Sequence, residues 1–136
     1  MAKLLLFNKP YRVLSQFTDT STNDAKATAR QTLANFIDLP NFYPAGRLDY
    51  DSEGLMLLTN NGSLQARIAD PKHKLQKSYW VQVEGRPSQD TLKALSAGIE
   101  LKDGLTLPAQ VRALKTLPTL WRREPCVPEH RVLNSS

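Results

Sequence analysis

Residues 46–59 read Gly46-Arg47-Leu48-Asp49-Tyr50-Asp51-Ser52-Glu53-Gly54-Leu55-Met56-Leu57-Leu58-Thr59, an acidic stretch followed directly by an apolar one. The acidic half alternates one guanidinium with three carboxylates, which in an extended conformation would all leave the backbone on one side. Like charges at this spacing repel each other and destabilise the fold, so the pattern indicates a functional role for these residues. Glycines at both ends mark sharp changes of backbone direction. We therefore predict an acidic loop presented by rigid strands, with an ordinary solvated turn as the plain alternative.

A calcium-binding loop is a second alternative for the same residues. Asp49, Asp51, Glu53 and Gly54 match the first half of an EF-hand loop. The twelfth position is Asn60, however, where that loop needs a bidentate Glu, and the apolar residues after the motif predict a strand instead of a helix. The sequence thus favours a site without calcium.

The motif is specific enough to indicate a family. From Gly46 to Gly62 the run Gly-Arg-Leu-Asp-x-Asp-Ser-Glu-Gly-Leu-x-Leu-Leu-Thr-Asn-x-Gly resembles the central motif of the RsuA-like bacterial ribosomal RNA pseudouridine synthases. Shorter matches follow the same family: Asn8-Lys9-Pro10, Tyr43-Pro44-Ala45, Lys77-Ser78-Tyr79, Val81-Gln82-Val83-Glu84-Gly85 and Asp103-Gly104. The short members, which lack an N-terminal RNA-binding module and act on large-subunit (23S) rRNA, are the most similar.

One family feature is missing from the sequence. Family members continue to a C-terminal motif of the type Glu-Gly-Arg/Lys-x-x-Gln-Val/Ile-Arg-Arg, whereas these residues stop at Ser136. We therefore expect residues 1–136 to be one pseudouridine synthase catalytic domain, incomplete at its C-terminal end. We also expect the chain alone to be weakly active or inert, with the absent piece supplied as a separate chain or the exposed sheet edge covered by self-association.

The resemblance implies an isomerase that converts a specific uridine of 23S rRNA into pseudouridine. The bond from ribose C1′ to N1 is broken, the uracil turns, and it is rejoined through C5, with no metal or other cofactor. The family site places a carboxylate at the flipped-out nucleotide, as nucleophile or base, and an aromatic ring against the uracil. The implied catalytic residues are Asp49 and Tyr79, and the implied active-site support and RNA-binding residues are Arg47, Lys77, Lys9 and Arg12.

Arg47 is expected to be the charge partner that keeps Asp49 ionised. Three of the other residues have a plainer structural interpretation that the sequence leaves open. Tyr79 could instead be a sheet-face aromatic that packs in the core, and Lys9 and Arg12 could simply belong to a solvated turn. The other acids of the motif, Asp51 and Glu53, are expected to serve the scaffold by accepting hydrogen bonds from loop amides.

Composition favours a nucleic-acid partner and an ordinary soluble protein. The 136 residues are 40% hydrophobic and 23% charged, and they carry a net charge of +5. Residues 1–45, 46–85 and 86–136 carry +2, 0 and +3, so an anionic centre lies within a basic chain, as expected for a phosphate-binding surface around an acidic site. The apolar runs are too short to cross a bilayer, and the lone Cys126 forms no internal disulfide, so we expect a cytoplasmic protein.

Periodicity predicts an α+β fold with a mixed, mainly antiparallel sheet and flanking helices, and the family resemblance implies a central RNA-binding cleft along that sheet. The predicted strands are Lys3–Phe7, buried, Gly54–Thr59, Lys77–Glu84, Ile99–Leu101 and Thr106–Leu117. The predicted helices are Ala27–Ile37, a segment capped by Ser63 that ends at Asp70-Pro71, and Gln89–Ala97 between Ser88 and Gly98.

Two other functions remain as alternatives to the enzyme. The first is a non-catalytic RNA-binding or ribosome-associated module that keeps the fold without the chemistry. The second is a glycosidase with a carboxylate pair, which the basic chain and the scarcity of sugar-stacking aromatics disfavour.

Overall fold

The chain divides into two units, Met1–Ser78 and Tyr79–Ser136. The structure is a computed structural model that describes residues 1–20, 29–73 and 75–123. The first unit contains the motif strand and most of the regular structure, namely β1 (Leu4–Lys9), β2 (Val13–Leu14), β3 (Gln31–Thr32), β4 (Tyr43–Pro44), β5 (Gly54–Thr59) and the helix α1 (Gly62–Ala69). The second unit contains α2 (Gln89–Ala97) and the short strands β6 (Glu100–Leu101) and β7 (Gly104–Leu105).

The motif strand β5 is the centre of an antiparallel sheet with the order β1-β5-β4. Its bounds confirm the predicted strand. The register pairs Leu5 with Leu58 and Phe7 with Met56, so these four side chains share one face of the sheet. That face packs on the core, whose buried residues are Leu33, Ile37, Met56 and Leu58. The acidic loop therefore begins and ends at strands of a sheet that is packed on the core.

The other face of the same sheet is open. Leu4, Leu6 and Leu55 are 48%, 63% and 63% exposed. The prediction of a buried first strand is therefore wrong for every second residue, because the strand has apolar side chains on both faces and the described residues leave Leu4 and Leu6 exposed on one of them, although Thr59, opposite Leu4, is buried. The strand also extends two residues beyond the predicted end, to Lys9.

The predicted helix from Ala27 to Ile37 is wrong. Gln31–Thr32 pairs in parallel with Val13–Leu14, and only Leu33–Asn35 forms a turn of 3₁₀ helix; residues 27 and 28 lie outside the described part. The reason is local capping. Thr32 Oγ1 accepts a hydrogen bond from Ala34 N, and Thr32 N donates to the Asn35 side chain, so the helix begins only after Thr32.

The helix α1 follows the motif strand as predicted, but its cap differs. Asn61 Oδ1 accepts a hydrogen bond from Leu64 N at 2.8 Å, which makes Asn61 the cap in place of the predicted Ser63. The helix ends at Asp70 before Pro71, as expected. Gln65 Nε2 donates to Pro44 O at 2.9 Å and ties the helix to β4.

In the second unit, the helix prediction is confirmed and the strand predicted over Ile99–Leu101 is found as β6, whereas the strands predicted over 77–84 and 106–117 are not found. The helix α2 spans Gln89–Ala97, with Ser88 as its cap and Gly98 at φ +105° as its stop. A Cβ at Gly98 would lie 2.5 Å from Thr106 O, so glycine is required by space as well as by φ. Beyond Leu105, and over 77–84, the described residues form no strand.

These strand predictions are wrong because an alternating pattern of apolar and polar residues describes only where side chains would point in a strand. It does not provide a neighbouring strand for pairing. A β-strand is stabilised by ladder hydrogen bonds to a neighbour. None of the three sheets of the described residues includes the segment 77–84, and Val81 is 75% exposed. The antiparallel sheet, the parallel pair β2–β3 and the two helices nevertheless confirm the α+β class. The RNA-binding cleft stays a prediction.

Candidate active site

The acidic residues lie in a loop between β4 and β5, as predicted. Gly46 and Gly54, at its two ends, have φ of +122° and +134°, which only glycine adopts readily. Ala45 N donates to Leu57 O at 2.8 Å, so the loop leaves the sheet from a hydrogen-bonded position. The loop is not extended, however, because Ser52 N donates to Asp49 O at 3.1 Å and closes a turn. The one-sided placement of charges that an extended chain would give therefore does not apply to this loop.

The carboxylate of Asp49 is exposed in this loop. The predicted ion pair with Arg47 does not form among the described residues. Arg47 Nη2 instead donates to Gln16 Oε1 at 3.0 Å, and the arginine itself is exposed. Both side chains are exposed, so the predicted contact of Arg47 with RNA stays a prediction.

A residue that the sequence analysis missed holds the backbone immediately before Asp49. Ser15 Oγ accepts a hydrogen bond from Leu48 N at 3.0 Å and donates one to Leu48 O at 2.5 Å. Ser15 is only 5% exposed. Its one sequence signal is a polar residue that follows the apolar pair Val13-Leu14, which by itself does not distinguish it from any other serine at the end of a strand.

Lys9 is fully buried, at 0% exposure. Its Nζ donates to Pro10 O at 2.9 Å and to Val13 O at 2.8 Å. The prediction that Lys9 contacts RNA phosphate is therefore wrong in this structure, since its ammonium faces backbone carbonyls inside the protein. The sheet register pairs Lys9 with Gly54, the last residue of the acidic loop.

The burial of Lys9 has an electrostatic counterpart. Desolvation lowers the pKa of Lys9, and the carboxylates of Glu53, Asp51 and Asp49 act in the opposite direction. The acidic loop thus stabilises the charged form of Lys9. The supporting role of Lys9 in an active site stays a prediction, and its place next to the loop agrees with it.

Arg12 lies in the turn between β1 and β2 and is exposed. Its φ is +58°, and its guanidinium carbon lies 5.3 Å from the centroid of the Tyr11 ring. The guanidinium is accessible to a phosphate, so the predicted RNA contact of Arg12 stays open.

Lys77 and Tyr79 are both exposed, and Tyr79 is 65% exposed. The rigid strand that was predicted to carry them is absent from residues 77–84. Asp49 belongs to the first unit and Tyr79 to the second, so the expected placement of the tyrosine ring against the carboxylate stays a prediction.

The calcium alternative finds no support in the described residues. No group of three or more His, Cys, Asp or Glu side chains in that part of the chain is placed to hold a metal ion. The motif leads into strand β5, whereas an EF-hand loop leads into a helix. Across the same residues, no helix has the length and apolar character needed to cross a membrane.

Most of the amino-acid sequence matches a known protein family. The model of RNA pseudouridylate synthases matches residues 3–124. The chain belongs to this pseudouridine synthase family. The resemblance seen in the motif is thereby confirmed. A crystal structure of a pseudouridylate synthase superposes with a TM-score of 0.72 at 30% identity, covering 85% of this chain and 48% of that one, which confirms the predicted pseudouridine synthase fold.

Several curated relatives of this pseudouridine synthase family member carry more specific names. Ribosomal large subunit pseudouridine synthase E of Vibrio vulnificus is 56% identical over 125 residues, which are 92% of this chain and 50% of the relative. The protein of the same name from Xanthomonas campestris pv. campestris is 56% identical over 91% of this chain and 64% of its own length. Ribosomal large subunit pseudouridine synthase B of Bacillus subtilis is 37% identical, over 80% and 43%. The chain thus spans between 43% and 64% of the length of these relatives.

Proposed function

We propose that this protein isomerises a specific uridine of large-subunit ribosomal RNA to pseudouridine, with Asp49 as the catalytic carboxylate. The observation that carries the proposal is an accessible Asp49 in a loop that the sheet and Ser15 hold in place. Membership of the family supports the reaction class, and relatives that are named for the large subunit support the class of substrate.

The chemistry asks for groups that this loop provides. The bond from C1′ to N1 must break and a bond from C1′ to C5 must form, while C5 loses a proton and N1 gains one. An exposed carboxylate can attack the nucleotide or accept that proton, and the reaction needs no cofactor. Arg47, which is exposed two residues earlier in the loop and bonded to Gln16, is proposed to bind a phosphate of the flipped-out nucleotide. The exposed ring of Tyr79 is proposed to stack on the uracil.

Mapping of pseudouridine in large-subunit rRNA tests this function directly. The rRNA of cells without the gene is expected to lack one pseudouridine that cells with the gene contain. Reintroduction of the gene should restore that modification, and a copy encoding Asp49→Asn should not. An identical map in all strains would rule out the proposed substrate.

We propose further that the open face of the sheet is covered by a polypeptide that corresponds to the remaining length of the relatives. Three leucines are exposed side by side on this face: Leu4, Leu6 and Leu55. β1 is also an edge strand of its sheet, and within the described residues no further strand pairs with its outer edge. An exposed apolar face beside an open edge favours association. Residues 1–136 would then be the larger part of a catalytic domain.

The activity of the isolated chain is the corresponding prediction. Residues 1–136 alone are expected to turn over slowly or not at all on 23S rRNA, and a second polypeptide that carries the C-terminal family motif should restore turnover. Sedimentation velocity and intact mass would show whether such a chain, or a second copy, occupies the open face. Full turnover by the monomeric chain would contradict the proposal.

A further inference from the structure

Ser15 joins two parts of the chain that are far apart in sequence. Its hydroxyl bonds both the N–H and the C=O of Leu48, 33 residues later. Met56 Sδ, on the motif strand, lies 3.6 Å from the same oxygen. Because Ser15 is 5% exposed, water does not replace these bonds easily. A single buried hydroxyl thus satisfies the backbone of the residue that precedes Asp49.

The segment that carries Ser15 is itself fixed from several directions. It follows Val13–Leu14, which pairs in parallel with β3, and Val13 O accepts a hydrogen bond from the buried Lys9. Gln16 O accepts a bond from Leu33 N at 2.9 Å, where the core begins. The hydroxyl therefore connects Leu48 to a rigid part of the unit.

Gln16, the residue after Ser15, bonds Arg47, the residue before Leu48. Gln16 Oε1 accepts the hydrogen bond from Arg47 Nη2 at 3.0 Å. Two consecutive residues, 15 and 16, thus contact the two residues that lead into Asp49. After Asp49 the chain turns at once, through the bond from Ser52 N to Asp49 O. The position of the Asp49 backbone is set by contacts on both sides.

We propose that Ser15 is a positioning residue, whose hydroxyl fixes the place of the Asp49 carboxylate through the backbone of Leu48. The inference rests on the proposed function, in which Asp49 reacts. Without the hydroxyl, the N–H and C=O of the partly buried Leu48 would lose their partner, and the loop would shift to hydrate them. A shift of about 1 Å at a reacting group can cost on the order of 10²-fold in rate.

The matched control is Thr59→Val. Thr59 is also fully buried, and its hydroxyl also makes two backbone hydrogen bonds, with Lys3 O at 2.6 Å and with Asn61 N at 3.2 Å. It lies at the end of β5 that is remote from the acidic loop. Ser15→Ala and Thr59→Val therefore remove the same kind of interaction from the same unit of the chain, and only Ser15 is bonded to the residue that precedes Asp49.

The test compares steady-state kinetics of the active form of the enzyme on its rRNA substrate, well below the melting temperature of each variant. Ser15→Ala is expected to lower kcat by about 10²-fold, with KM within about threefold of the parent value. Thr59→Val should leave kcat within about threefold, and Ser15→Thr, which keeps the hydroxyl, should recover most of the lost rate. Equal kcat values for Ser15→Ala and Thr59→Val would overturn the proposal.

A second measurement needs no variant and no activity. The Leu48 amide of the unaltered protein should exchange its hydrogen as slowly as amides of the β1–β5 ladder. Exchange as fast as that of the exposed Asp51 would show that the Ser15 bond does not hold, and would overturn the proposal even if Ser15→Ala did not fold. An active Asp49→Asn variant would instead refute the proposed function and leave the exchange result standing.

Discussion

Replacement of Asp49 by Asn is expected to lower kcat for pseudouridine formation by at least about 10²-fold, the range typical of a lost catalytic acid–base group. The amide has nearly the same size, but it neither attacks the nucleotide nor accepts a proton at neutral pH. Because Asp49 is exposed, the variant should fold with a free energy of unfolding within about 0.5 kcal/mol of the parent. Quantitative pseudouridine mapping of an rRNA substrate, with denaturant unfolding as the check on folding, measures both.

Asp51→Asn is the matched control for this variant. It removes the same charge from the same loop, and Asp51 is likewise exposed. The two variants weaken the field around Lys9 in the same direction, because both carboxylates oppose the lowering of its pKa. Only Asp49→Asn should lose turnover. A catalytic rate that is unchanged in Asp49→Asn, with RNA binding intact, would exclude Asp49 as the catalytic carboxylate.

Replacement of Leu58 by Ala is expected to lower the free energy of unfolding by about 2–5 kcal/mol. Leu58 is 0% exposed and lies in the core cluster with Leu33 and Met56, so the substitution leaves a cavity under the motif strand. Urea unfolding followed by far-UV circular dichroism measures the difference. The same strand follows the acidic loop. A decrease of this size in the free energy of unfolding would therefore also weaken the structure that holds the candidate site.

Leu55→Ala provides the comparison within the same strand. Leu55 is 63% exposed on the opposite face, so its truncation should cost less than about 1 kcal/mol in the isolated chain. If Leu55→Ala and Leu58→Ala proved equally destabilising, the open face would have to be covered in solution. The loss at Leu55 would then depend on protein concentration if a second copy covers the face, because dimer stability follows mass action.

Local signals explain the successful predictions. Ser88 and Gly98 cap α2 because a hydroxyl satisfies a free amide and because glycine adopts positive φ, both within a few residues of the helix. The strand Gly54–Thr59 was predicted because a short, continuous apolar run bounded by turn residues is typical of a buried strand. The acidic loop and the family motif are likewise contained in consecutive residues.

Apart from the helix predicted over 27–37 and the cap of α1, the errors concern partners that are distant in sequence. Alternation over 77–84 suggested a strand, but no described strand pairs with it. Arg47 was assigned to Asp49, two residues away, whereas it donates to Gln16, 31 residues away. Lys9 was expected at the surface because lysine is seldom buried, yet two carbonyls and the nearby carboxylates make its burial possible.

The sequence by itself determined the acidic loop, the strand that follows it, the caps of α2 and the membership of the pseudouridine synthase family. Each of these depends on residues that are neighbours along the chain, where spacing and backbone preference act directly. Only the tertiary structure decided that Lys9 is buried, that Ser15 holds Leu48 and that one sheet face is open. These depend on which distant residues share a hydrogen bond or exclude water, and packing settles that only when the whole unit has folded.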